Sequence, residues 1–118
     1  MNIAALKRVV SMEELLWHYG WDLYRAGEPE AALASWRELI ERRGINPEWA
    51  PPTVALALWK LDRKDEAVLW YAAAVRTEPG RWSTTAKYPQ LLPDWSEAER
   101  KDLAEVQAAW AVKRPAWP

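Results

Sequence analysis

Apolar and small residues recur along this chain at helical spacing, in runs cut off by glycine and proline. Leu16, Tyr19, Gly20 and Leu23 stand at i, i+3, i+4 and i+7, so they share one face of a helix. Ser11-Met12-Glu13-Glu14, just ahead of them, reads as a capping box: the serine hydroxyl accepts from a first-turn amide while Glu14 reaches back to the Ser11 amide. Gly27 ends this helix, and Pro29 suits the first turn of the next, where a missing amide costs little. Ala32, Leu33, Trp36, Leu39 and Ile40 give a second apolar stripe, stopped by Gly44. The pattern predicts two helices joined by a tight turn over residues 11–44.

The same pattern then returns. A shift of about 35 residues superposes Ala32 on Ala67, Leu33 on Val68, Trp36 on Tyr71, Leu39 on Ala74 and Ile40 on Val75. Upstream, Tyr19 falls on Val54, Gly20 on Ala55 and Leu23 on Leu58. One amphipathic stripe arises easily by chance, but two at one offset, with small residues at the same crossing points, mark a helical repeat. A further shift of the same length puts Leu103, Val106, Ala109 and Trp110 on the second-helix stripe, behind another capping box at Ser96-Glu97-Ala98-Glu99. Pro89 and Pro93 forbid a regular first helix in this third unit. Residues 80–95 are therefore expected to form an irregular connection, with one turn around Trp82–Lys87. A helix over 96–113 should cap the open edge of the array, and Pro115 and Pro118 should end the ordered chain.

Leu16-x-x-Tyr19-Gly20-x-x-Leu23, followed by Gly27, Ala32, Trp36 and Leu39, resembles the tetratricopeptide repeat family. The second unit, with Val54-Ala55-x-x-Leu58, Ala67, Tyr71, Ala74 and a closing Pro79, is similar to it as well. It departs from the family pattern at Asp62, where glycine is usual, and at Pro51, at the start of a helix. The resemblance covers about residues 13–79; Trp70-Tyr71-Ala72-Ala73 looks a little like the related Sel1-like repeats. The resemblance implies an all-α, right-handed helical-repeat array, an α-solenoid of antiparallel helix pairs. The chain is expected to be one such domain over 1–118, with repeats at 11–44 and 48–79, the connection at 80–95 and the capping helix at 96–113.

Charge and composition narrow the function. Sixteen basic and seventeen acidic residues leave a net charge of −1. That balance argues against non-specific binding of nucleic acid and against a surface made for anionic lipid. No apolar run approaches the ~20 residues of a membrane span, and Met1–Val10 lacks the apolar segment of a secretory signal, so a soluble cytoplasmic protein is expected. Cysteine is absent and His18 is the only histidine, which excludes Cys–His catalysis and multi-histidine metal sites. No phosphate-binding loop occurs among the four glycines. The pairs Glu13/Glu14 and Asp65/Glu66 read as helix-start charges favoured by the macrodipole, since adjacent residues point to different faces. The expectation is a non-enzyme with no catalytic residue, metal or cofactor.

Ten tryptophans beside no phenylalanine is the unusual feature, and position decides what they do. Trp17, Trp21 and Tyr24 form a second stripe at i, i+4 and i+7, beside the Leu16/Tyr19/Leu23 face. One helix with two such stripes has two surfaces to cover. Met1–Val10 or the 79–95 connection could lie over the second stripe, or a partner could. In the tetratricopeptide resemblance the first helix of each repeat lines a concave groove, which implies partner-binding positions at Trp17, Trp21, Tyr24 and Arg25, then Trp49, Leu56, Trp59 and Lys60. Tryptophans stand where the family's carboxylate clamp has Lys and Asn, so an apolar or aromatic peptide, with an acidic group near Arg25 or Lys60, fits better than a chaperone tail. The expected partner is a protein or peptide; nucleic acid would require more basic residues among the rings. Self-association into a homo-oligomer through the tryptophan face is the alternative, and carbohydrate binding a weaker one.

Overall fold

The computed structural model describes residues 11–44 and 48–114. Met1–Val10, Pro115 and Pro118 lie outside them. The described residues are all-α and contain no strand. In chain order the helices are α1 (Met12–Arg25), α2 (Pro29–Arg43), α3 (Ala50–Lys60), α4 (Lys64–Thr77), two single turns α5 (Pro79–Trp82) and α6 (Tyr88–Leu91), and α7 (Glu97–Val112). They belong to two compact units, Met1–Ile45 and Asn46–Pro118. In the first, α1 packs on α2; in the second, α3 packs on α4, and α7 packs on both.

The repetition is most literal in the turns. At the end of α1 the amides of Ala26, Gly27 and Glu28 donate to the carbonyls of Asp22, Tyr24 and Leu23 at 2.9, 3.1 and 2.9 Å. At the end of α3 the amides of Leu61, Asp62 and Arg63 donate to those of Ala57, Trp59 and Leu58 at 3.1, 3.0 and 2.9 Å. Each set contains the two crossed bonds that close a helix when the chain leaves through a left-handed residue. Gly27 takes that conformation with φ 87°, and Asp62 takes it with φ 62°. Asp62 therefore takes at the second turn the backbone conformation that Gly27 takes at the first. Aspartate and asparagine are the non-glycine residues that enter this region most readily.

The first unit closes on one tight crossing. Trp36 of α2 is fully buried, and its indole lies directly over Gly20 of α1. A Cβ at position 20 would come within 2.6 Å of Trp36 Cδ1 and Cε2. Two side chains of α2 donate to carbonyls of α1: Ser35 Oγ to Leu16 O at 2.8 Å and Trp36 Nε1 to Trp17 O at 3.3 Å. Ala32 is fully buried on the same helix. Ser11 opens α1 by accepting from the Glu14 amide at 3.1 Å.

The second unit is built around α3. Val54 to Leu58 are fully buried without interruption, so this helix is covered on every side. Pro51 and Pro52 sit in its first turn, where no intrahelical donor is lost. The segment expected to be an irregular connection instead carries α5 and α6, on either side of residues 83–87. Pro89 fits inside the first turn of α6. Trp82, Tyr88, Leu92 and Trp95 are all buried, so this stretch contributes to the core. The full reciprocal capping box forms at the start of α7: the Glu99 amide donates to Ser96 Oγ at 3.1 Å, and the Ser96 amide donates to Glu99 Oε1 at 2.8 Å.

Candidate functional site

The eight residues placed in a groove by the sequence divide evenly between the two units. In the first, Trp21 and Tyr24 are buried, 6% and 8% exposed, and Trp17 is half-buried. Their rings gather on Trp36: Trp21, Trp17 and Tyr24 have centroids 5.1, 6.2 and 6.3 Å from it. Trp21 also meets Trp17 edge-on at 6.0 Å and Tyr24 at 5.8 Å. Arg25 is exposed, and its guanidinium lies over the Trp21 ring, 4.6 Å from the centroid. Trp21 and Tyr24 are thus part of the packing between α1 and α2 rather than open groove positions.

The buried face of α1 is therefore shifted from the expected stripe toward Trp17, Trp21 and Tyr24, with Gly20 at the crossing. The sequence put Leu16, Tyr19, Gly20 and Leu23 on the closing face; in the structure Gly20 is buried against Trp36, whereas Tyr19 is 59% exposed and Leu16 and Leu23 are half-buried. Met12 and Leu15, each 49% exposed, join Tyr19 on the outside. The cause is shape. Four rings bury more apolar area than leucines can, and Gly20 gives α2 a place to approach closely enough for Trp36 to reach them. Gly20 paired with a large ring further along the chain was the available signal; helical spacing alone did not distinguish the stripes.

In the second unit Leu56 is fully buried, which removes it from any accessible surface. The reason is that α3 is largely apolar and both α4 and α7 pack on it. Trp49, the residue before α3, is half-buried. Trp59 and Lys60, in the last turn, are half-buried and exposed. The Trp59 indole N–H donates to Glu105 Oε1 on α7 at 3.0 Å, and Lys64 Nζ stands 5.0 Å from the ring centroid. Lys60 Nζ lies 3.9 Å from Asp102 Oδ2, also on α7. Trp59 is therefore held by its polar edge and half-buried, with the Lys64 ammonium over its ring. Of the expected residues in this unit, Trp59 and Lys60 are the pair placed side by side at the surface.

A buried polar cluster in the second unit was not anticipated. Tyr71 donates its hydroxyl hydrogen to Trp82 O at 2.6 Å and is itself hydrogen-bonded to the Tyr88 hydroxyl. Since the Tyr71 hydrogen goes to the carbonyl, Tyr88 is the donor in the second bond. Burial pushes the Tyr71 phenol up to about 12, against the opposing pull of the hydrogen bond from Tyr88. Burial, the Tyr71 charge and the shared hydrogen bond all push Tyr88 upward. Both hydroxyls stay protonated at any ordinary pH, as suits groups that hold α5 and α6 onto α4.

Among the described residues no group of three histidine, cysteine, aspartate or glutamate side chains could hold a metal ion. His18 is exposed on α1. No helix of the described residues is long and apolar enough to cross a membrane. Comparison with protein-family models, curated proteins and solved structures gives no match to this chain.

Proposed function

We propose that this protein is an interaction module of tetratricopeptide-like helical repeats, without enzymatic activity, that binds an apolar or aromatic segment of another protein through the Trp59 face of its second unit. The observation that carries the reading is the presentation of Trp59. A half-buried indole held by a hydrogen bond to Glu105, with Lys64 over its ring and Lys60 next in sequence bridging to Asp102 of the same α7, offers apolar area whose position is already fixed. Rigid aromatics of this kind contribute contact area at little entropic cost and are typical of binding hot spots. The two lysines favour a ligand with an acidic group next to its apolar residue, although each already has an aspartate nearby and the gain per exposed charge pair is small. The twofold use of one turn geometry supports the repeat reading of the scaffold. No chemistry for turnover is gathered around Trp59.

A displayed peptide library selected against the whole chain tests this. Sequences with an aromatic or large aliphatic residue beside Asp or Glu should be enriched. Their binding should fall at least tenfold in Trp59→Ala and become less salt-dependent in Lys60→Ala. Equal binding by Trp59→Ala would remove Trp59 from the site. Turnover found in a broad activity screen, and lost in His18→Ala, would overturn the non-enzymatic reading.

A further inference from the structure

The Trp59 indole is held by a residue whose charge opposes the ligand proposed for it. Glu105 is exposed on α7, 46 positions further along the chain, and its Oε1 accepts from Trp59 Nε1 at 3.0 Å. A carboxylate at the rim of a site repels an acidic segment, by up to about fivefold in affinity for an exposed pair. The hydrogen bond acts in the opposite direction. A side chain ordered before binding spares the complex the cost of ordering it, about twofold to tenfold in affinity for one large side chain. With its N–H already donated to Glu105, the indole meets a ligand through ring carbons, which suits an apolar side chain.

We propose, building on the binding reading above, that Glu105 is a positioning residue of the Trp59 site. It holds the indole in the orientation that receives the ligand's apolar side chain, and it does so as a hydrogen-bond acceptor, against the effect of its own charge. The bond joins the last turn of α3 to the middle of α7, so the ring is oriented by two helices that pack on each other and not by its local backbone alone. Lys60, the next residue, has its Nζ 3.9 Å from Asp102 Oδ2, one turn before Glu105, so two successive side chains of α3 are fastened to one side of α7. Lys64 Nζ, 5.0 Å from the ring centroid, restrains the indole from a second direction.

Variants of Glu105 in the full chain separate the bond from the charge. The probe is a synthetic peptide with one phenylalanine between two aspartates. The second readout is the indole N–H resonance of Trp59 in the isotope-labelled chain, identified by its loss in Trp59→Phe. Glu105→Gln keeps an acceptor and removes the charge: the resonance should stay in place, and the probe should bind at least as tightly as to the natural chain. Glu105→Ala removes both. Its resonance should move upfield and exchange faster with water, and binding should fall about twofold to tenfold although a repulsive charge is gone. Glu105→Asp keeps the charge but draws it back by one carbon–carbon bond, about 1.5 Å, so it should lose at least as much as Glu105→Ala. Circular dichroism should show the helices intact in all three, since position 105 is exposed. Tighter binding in both Glu105→Ala and Glu105→Gln would mean that the charge alone matters and would overturn the proposal. Equal binding by all four chains, or a resonance unmoved in Glu105→Ala, would overturn it too. Failure of the binding reading has a separate signature: a natural chain that ignores the probe, while the resonance moves as expected, would overturn that reading and leave Glu105 a purely structural bond.

Discussion

Replacing Gly20 with alanine is the sharpest test of how the first unit is held together. In an exposed helix interior the change stabilises by up to about 1 kcal/mol, because glycine has more backbone freedom to lose. At position 20 the new methyl carbon would lie 2.6 Å from two atoms of the Trp36 ring, and closer still to its Nε1. Carbon atoms in contact prefer about 3.5–4.0 Å, so the ring must retreat by about 1 Å. Trp36 is fully buried, and Trp17, Trp21 and Tyr24 surround it. Overpacking of this kind costs about 1–3 kcal/mol, and loss of the Trp36–Trp17 hydrogen bond adds about 1 kcal/mol. Set against the helix gain, Gly20→Ala should destabilise by about 1–3 kcal/mol, a fall in Tm of several degrees by thermal circular dichroism. The second unit places Ala55 and Tyr71 at the corresponding sequence positions, a larger residue with a smaller ring. Trp36→Tyr should therefore cost less in the Gly20→Ala background than in the natural chain, with a coupling energy of about 1 kcal/mol or more in the double-mutant cycle. Gly80→Ala is the control, since a Cβ there meets nothing within 4 Å, and it should be neutral or slightly stabilising. A Tm for Gly20→Ala equal to or above that of the natural chain would refute the close approach of α2 to Gly20.

Three further outcomes follow from the packing. Trp21→Ala should cost about 3–5 kcal/mol in urea denaturation, because its ring touches three other aromatics in the core; an unaffected midpoint would return Trp21 to an accessible surface. Asp62→Gly should be neutral or stabilising by up to about 1 kcal/mol, whereas Asp62→Val should destabilise, since a β-branched residue resists φ 62°; equal melting of both variants would contradict the left-handed turn. Tyr71 is raised from 10.0 in an unfolded chain to about 12 when folded, so its neutral form contributes stability that is complete below pH 10 and lost as pH rises from 10 to 12. Denaturation midpoints should fall across that window, less steeply in Tyr71→Phe, and the phenolate absorbance of Tyr71 should appear only as helicity is lost.

The candidate site was legible only in part. Trp59 and Lys60 were implied by the tetratricopeptide resemblance, and they are half-buried and exposed. Trp21, Tyr24 and Leu56 came from the same reading, and all three are buried. Spacing records that a residue lies off one stripe, without recording what lies over it. The bond between Tyr71 and Tyr88 escaped notice because it joins α4 to a single turn with no periodicity of its own.

The sequence by itself determined the all-α class, the helix pairs near 12–43 and 50–77, the final helix and the tight turns between partners. These features depend on interactions that close within about six residues: a serine cap, a left-handed residue, a proline in a first turn and the helical recurrence of apolar positions. Tertiary structure decided which of two apolar stripes on α1 faces inward, that α3 is covered all round and that residues 79–95 supply Trp82, Tyr88 and Trp95 to a core. Each of those outcomes depends on the shape of a partner distant in sequence. α1 carries apolar side chains on most of its surface, and Trp36, arriving from α2 onto the one residue without a side chain, selected the face that is buried.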